Sequence, residues 1–246
     1  MWSRGGGEIS PVPLHPSTLA QKGPPLPSSP ARLRQGLYRL FGALFLYPDK
    51  ERLATLRVVA RELRQEDEFW GGYSFSEPLS RLLDVLSELG EDVEESVEEE
   101  YVRLFLVKPL APPYESFFLD PDGQARGWIA VQVEREYTHA GLVLSPDQKK
   151  LPDHIAVELE FMAYLCGRQA RALEEEDREN QDRAQECQRA FLGQHLGRWF
   201  PRFAQRVLDA APESVYGAAI EAAYAFLYHD LGVLHPWQSS VREQHA

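Results

Sequence analysis

Leu151-Pro152-Asp153-His154-Ile155-Ala156-Val157-Glu158-Leu159-Glu160-Phe161-Met162, LPDHIAVELEFM, is the stretch on which the reading of this chain turns. An acid and an imidazole stand side by side where apolar residues begin to recur at helical spacing. The segment is a catalytic pair, a metal site or the start of a helix. Adjacent side chains on a helix point about 100° apart, which places Asp153 and His154 poorly for an Asp-His relay. His154 and Glu158 stand four apart on one helix face, a spacing that can hold a metal, but the H-E-x-x-H pattern is absent and no second cluster accompanies it. A helix start explains the same letters: Pro152 suits the first turn, Asp153 complements the helix dipole, and His154 has Glu158 as a bonding partner. A helix from Asp153 to about Glu175 is therefore expected.

Working outward, the same 3.6-residue period recurs on both sides. Leu33, Leu37, Leu40, Leu44 and Tyr47 lie along one side of a helix that starts at Arg32 and is stopped by Pro48. Glu51 to Arg64, Glu77 to Leu89, Asp92 to Leu106, Gly127 to Ala140, Asp177 to Leu196, Trp199 to Ala210 and Glu213 to Asp230 fit helical periodicity better than alternation. No segment reads as a strand. The expectation is an all-α, single helical domain of about eight to ten helices over residues 32–234, long enough to bury a sizeable core.

The exception is VKPLAPPYESFFLDPDGQAR, Val107 to Arg126, where Pro109, Pro112, Pro113 and Pro121 rule out a continuous helix. Its Tyr114, Phe117, Phe118 and Leu119 are expected to fold it onto the body, and long ordered loops often carry function. Residues 1–31 are rich in Pro, Gly and Ser with scattered apolar side chains, and read as a disordered tail; residues 235–246 read as a C-terminal tail. The N-terminal tail lacks the basic start and continuous apolar centre of a secretory signal, so the protein itself is not expected to be exported.

The 38 acidic against 26 basic residues give a formal charge of −12, which repels phosphate backbones and anionic lipid and favours cationic partners. Nucleic acid is excluded as the expected ligand. The two cysteines, Cys166 and Cys187, have no C-x-x-C spacing, so neither a disulfide framework nor a zinc or iron–sulfur site is indicated. The apolar run at Leu40 to Tyr47 is far short of the ~20 residues that span a bilayer. No Gly-rich phosphate loop and no G-x-S-x-G elbow exists. A reducing cytoplasm, no cofactor and no metal are the expectations, and an ordinary hydrolase or nucleotide enzyme has little support; a metal- or nucleotide-dependent hydrolase using His154 and Glu158 is the minor alternative.

Two further runs carry less. The acidic stretch from Glu91 to Glu100 has the composition of a solvated helix face, with attraction for a basic peptide as its functional reading. In EYVRLF, Tyr101, Leu104 and Phe105 recur at i, i+3 and i+4, a core-facing stripe, and Trp199, Phe200 and Phe203 read as packing residues.

Taken together, EYVRLF at Glu100 to Phe105, APPYES at Ala111 to Ser116, LPDHIAVELEFM at Leu151 to Met162 and HLGRWFPRF at His195 to Phe203 resemble the TorD/DmsD/NarJ family of molybdoenzyme maturation chaperones. Their order and separations cover most of residues 32–234. The resemblance implies a cytoplasmic, all-helical chaperone that binds the N-terminal leader of a molybdopterin oxidoreductase, often a twin-arginine signal, and assists cofactor insertion before export. It implies that Tyr101, Leu104 and Phe105 match the Y-x-x-L-F motif and that Pro152, Asp153 and His154 match the Pro-Asp-His motif. Lys149-Lys150-Leu151 departs from the family, where many relatives carry Glu.

A cationic leader followed by an apolar segment needs carboxylates beside an apolar groove. Asp153, Glu115 and Glu158 are expected to supply the first, and Pro113, Tyr114, Phe118 and Leu104, with Phe117, the second. A NarJ-like chaperone for a non-exported subunit is the alternative within the binding class. The state expected is monomer or dimer.

Overall fold

The computed structural model describes residues 12–14, 29–65, 67–90, 94–120, 127–144 and 150–234, and the core is helical throughout. Nine helices of at least eight residues are present among the described residues: α1 (Pro30–Leu44), α2 (Lys50–Gln65), α4 (Ser76–Glu88), α5 (Glu94–Tyr101), α7 (Trp128–His139), α8 (Ile155–Glu174), α9 (Arg178–Gln194), α10 (Leu196–Ala210) and α11 (Val215–Leu234). The all-α expectation holds. Two short helices join them, α3 (Asp67–Trp70) and α6 (Glu115–Leu119), the second inside the Pro-rich connection. Two three-residue strands, β1 (Val12–Leu14) and β2 (Leu142–Leu144), pair in parallel, where the sequence suggests no strand. The rest of the N-terminal tail before Ser29, and the C-terminal tail, lie outside the described residues.

The helix that LPDHI opens is the axis of the molecule. Every residue from Ile155 to Leu159 is buried, and α8 is apolar nearly all round because α1 lies along one side of it and α9 along another. Its N-cap is His154, whose Nδ1 accepts from the Ala156 N–H at 3.1 Å, so the helix starts two residues later than Asp153. α1 begins at Pro30, capped by Ser29, which accepts from Arg32 N at 3.3 Å. Around this axis α11 packs on α4 and α10, and α2 on α4. Among the described residues no helix is long and apolar enough to cross a membrane.

Two local features set the site. The first is at the end of α5, where residues 102–106 form a π-helical turn closed by Val107 N donating to Val102 O at 3.0 Å. A single π turn inside a helix is uncommon and often accompanies function. The second is the α9–α10 joint. His195 sits at φ −117°, ψ −95°, between two helices with almost no linker. A Cβ at Gly197 would stand 2.7 Å from Leu192 O, so only glycine allows this close turn. α10 therefore starts at Leu196 and carries Pro201 inside it, rather than starting at Trp199.

Candidate functional site: a polar seam under a strap

Beyond the π turn the chain runs back across the N-terminus of α8 as a strap, from Val107 to Leu119. Ala111 N donates to Leu104 O, Ile155 N to Pro113 O and Glu115 N to Asp153 O, each at 3.0 Å. Tyr114 and His154 face each other as an isolated antiparallel bridge, their rings edge to face at 5.0 Å between centroids. The prolines explain the shape: they cannot donate to a helix ladder, and they leave the chain extended enough to pair with the residues ahead of α8.

Beneath the strap three carboxylates converge. Asp153 accepts from Ser116 N through Oδ2 at 3.0 Å and so caps α6. Glu115 accepts or shares a proton with His195 Nδ1, at 2.9 and 3.1 Å to its two oxygens. Glu158 accepts from Trp199 Nε1 at 3.0 Å. All three acids, with Ser116 and His154, are fully or almost fully buried. Among the described residues no lysine or arginine forms an ion pair with any of the three.

The electrostatics follow from that. Burial first, then the charges of Glu115 and Asp153, push the Glu158 carboxyl well above its ordinary range, and the Trp199 bond opposes this. Glu158 Oε1, the oxygen not bonded to Trp199, is buried without a hydrogen-bond partner. Burial, with Lys150 nearby, pushes His154 well below the ordinary imidazole range, and it is neutral. The Tyr137 hydroxyl, which donates to Pro152 O at 2.8 Å, is raised by burial and then by all three acids. Asp153 Oδ1, Ser116 Oγ and His154 Nε2 are buried without a hydrogen-bond partner.

The structure brings Pro113, Tyr114, Glu115, Phe118, Pro152, Asp153, His154 and Glu158 into this one seam. It separates the other three expected residues. Tyr101, Leu104 and Phe105 are buried in the aromatic core, Phe105 packing on Tyr216 and Tyr101 at 5.2 Å each and Tyr101 donating to Phe45 O at 3.2 Å. They support the strap from within and do not face it outward. The exposed acidic edge expected from Asp153, Glu115 and Glu158 is absent, because their carboxylates point inward. His154 and Glu158 do not bond to each other: the first caps α8 and the second meets Trp199. No group of three or more His, Cys, Asp or Glu among the described residues is arranged to hold a metal.

His195 and Trp199 belong to the site although sequence spacing assigns His195 no role and makes Trp199 a packing residue. They stand four apart on the inner face of α10 and its joint, a spacing visible in HLGRW. Phe118 stacks on Trp199 at 5.5 Å, and on the outer face Arg202 Nη1 donates to Phe118 O at 2.7 Å and Arg206 Nη1 to Leu110 O at 3.4 Å. The Arg206 guanidinium also lies 5.0 Å over the half-exposed Phe117 ring. On the flank where the sequence departs from its relatives, Lys150 Nζ reaches the Tyr101 hydroxyl at 3.5 Å.

Comparison with known proteins covers this site from end to end. Residues 73–205 match the profile of the nitrate reductase delta subunit family, a span that holds the π turn, the strap, the start of α8 and the His195–Trp199 pair. Chaperone protein TorD of Vibrio cholerae is 29% identical over 161 residues, 64% of this chain and 71% of that protein. The chlorate reductase assembly chaperone protein of Ideonella dechloratans is 32% identical over 127 residues, 50% of this chain and 62% of that protein. A crystal structure described as a candidate redox enzyme maturation protein from Archaeoglobus fulgidus superposes with a TM-score of 0.49 at 23% identity, over 80% of this chain and 92% of that one.

Proposed function

Because this chain belongs to the nitrate reductase delta subunit family, the TorD/NarJ group of maturation chaperones, we propose that it is a cytoplasmic chaperone that binds the N-terminal leader of a molybdopterin oxidoreductase. It holds the client back while the cofactor is inserted and performs no turnover of its own. The observation that carries the reading is the match over residues 73–205, which encloses every residue of the seam. The seam adds chemistry to the match: three acids and an apolar strap are gathered at one end of α8, and a leader offers the complement, cationic side chains followed by apolar ones. The net charge of −12 draws such a segment in from a distance. Pro113, Tyr114, Glu115, Phe118, Pro152, Asp153, His154 and Glu158 are proposed to form the contact region, with Tyr101, Leu104 and Phe105 as its internal support.

The test is calorimetric titration of the full chain with a synthetic leader peptide carrying two adjacent arginines ahead of an apolar segment. The control is the same peptide with both arginines replaced by glutamine. Saturable one-to-one binding of the arginine form, weakening as salt rises, is expected, since charge pairs are screened over about 8 Å at physiological ionic strength. Equal binding of both forms would assign the chain instead to a client whose N-terminus is not exported. No binding of either would overturn the leader-peptide reading.

A further inference from the structure

The acids that suit a cationic leader are buried, and this poses a question that the leader reading leaves open: how does a client reach them? We infer that the strap from Leu110 to Leu119 is a latch, and that opening it uncovers a binding seam for a guanidinium or ammonium group of the client segment. The inference rests on the leader-peptide reading and adds a moving part and an acceptor set to it.

Three observations carry it. First, the seam gathers three acids with no lysine or arginine bonded to them among the described residues: Glu115, Asp153 and Glu158 converge, and their side-chain bonds run to His195, a backbone N–H and an indole. Buried acids are ordinarily matched by a basic partner, as Asp230 is by Arg34 elsewhere in this molecule. Second, Asp153 Oδ1 is a fully buried acceptor with nothing bonded to it, and Ser116 Oγ and His154 Nε2 beside it are also unpartnered. Such groups are rare in folded proteins, and three around one contact mark a closed state that leaves bonding capacity for another molecule. Third, the strap is held by contacts that can part together. Two main-chain bonds flank the Tyr114–His154 bridge, Phe118 rests on Trp199, and Arg202 and Arg206 grip carbonyls from outside. Lys108, in the strap just ahead of its latching part, has φ +49°, a left-handed conformation that a non-glycine residue rarely adopts and a natural place for a backbone change.

In the open state Asp153 Oδ1 and the Glu158 carboxylate accept from the incoming cation. The apolar residues that follow in the client take the place of Phe118 against Trp199 and Phe203, which Phe118 now covers.

The bridge between strap and body supplies the test. Tyr114 and His154 are a non-hydrogen-bonded antiparallel pair, for which Cα atoms stand about 4.5 Å apart, within reach of a disulfide. Tyr114→Cys with His154→Cys, in a Cys187→Ser background, fastens the strap when oxidised and frees it when reduced. The arginine peptide should bind the oxidised protein at least tenfold more weakly than the same protein reduced. Equal affinity in the two states overturns the latch. Asp153→Asn provides a second arm that keeps the α6 cap: the preference for the arginine over the glutamine peptide should collapse, and its retention removes Asp153 from the acceptor set and sinks the seam. If wild-type protein binds neither peptide, the leader reading fails by itself. Amide exchange then decides the latch: exchange at Glu115, Ser116 and Ile155 that is fast when reduced and suppressed on oxidation supports it, and exchange at the global unfolding rate in both states overturns it.

Discussion

Two buried polar clusters lie along α8, one at its start and one around Leu165 and Gln169, and they are built on opposite principles. Where α1, α8, α9 and α11 meet, Arg34 Nη2 donates to Asp230 Oδ2 at 2.9 Å and to Gln188 Oε1 at 2.6 Å, and Tyr38 donates to the same Asp230 oxygen at 2.6 Å. Gln169 accepts from Arg34 at 3.1 Å and from Gln188 at 3.2 Å, and Gln188 donates again to Leu165 O. Each charge has its opposite and the partners sit on long helices. The seam under the strap has three acids, no arginine, unpartnered atoms, and a cover made of irregular chain. The first cluster has one satisfactory arrangement and specifies how the helices pack; the second is short of partners and is satisfied by something added. Equal burial thus hides different roles, and the donor–acceptor balance separates them.

Substitutions should break or sharpen that contrast. Asp230→Ala leaves the Arg34 guanidinium buried and unpaired and should cost about 3–5 kcal/mol in urea unfolding, with leader affinity of the folded fraction unchanged. A loss no larger than that of a surface substitution would remove the scaffold role. Trp199→Phe keeps the ring under Phe118 but deletes the N–H bonded to Glu158, at an expected ~1–3 kcal/mol, and should speed exchange of strap amides before those of α1.

The seam should also respond to pH through Glu158 and His154. Glu158 has a folded-state pKa above its unfolded one, so its stabilising share is present at low pH and is lost as pH rises through the folded value. Glu158→Gln should therefore flatten the fall in midpoint as pH rises above the ordinary carboxylate range. His154 has a folded pKa below its unfolded value of about 6.5, so its contribution is present above 6.5 and is lost as pH falls toward the folded value; His154→Gln should shrink the loss between pH 7 and 5. The smallest effect is expected for Arg206→Ala, within ~0.5 kcal/mol of wild type because the side chain is exposed, yet with faster exchange near Leu110.

How far the sequence led depends on whether partners are local. Helix α8 was legible because its apolar residues and the start signal at Pro152–His154 lie within one stretch. The core role of Tyr101, Leu104 and Phe105 followed from i, i+3, i+4 spacing, but the π turn did not, since it keeps the same residues inward. Periodicity alone places the start of α10 at Trp199, whereas the turn is made earlier by His195 and Gly197. The seam's inward carboxylates were illegible for a plainer reason: Glu158 meets Trp199 41 residues away and Glu115 meets His195 80 residues away. Sequence spacing places residues on a face; it does not say what covers that face. Arg34 and Asp230, 196 residues apart, went unseen on the same grounds.

The most direct test of the contrast is native-state amide exchange across both clusters, read in increasing sub-denaturing urea with and without the arginine peptide. The amides of Ala111, Glu115, Ser116 and Ile155 should exchange through a local opening that urea hardly affects, while those of Tyr38 in α1 and Leu227 in α11 exchange only by global unfolding. Peptide should change the first set and leave the second at its global limit apart from the uniform stabilisation that binding brings. Strap amides as protected and as urea-sensitive as those of α1, with no selective response to peptide, would contradict the account.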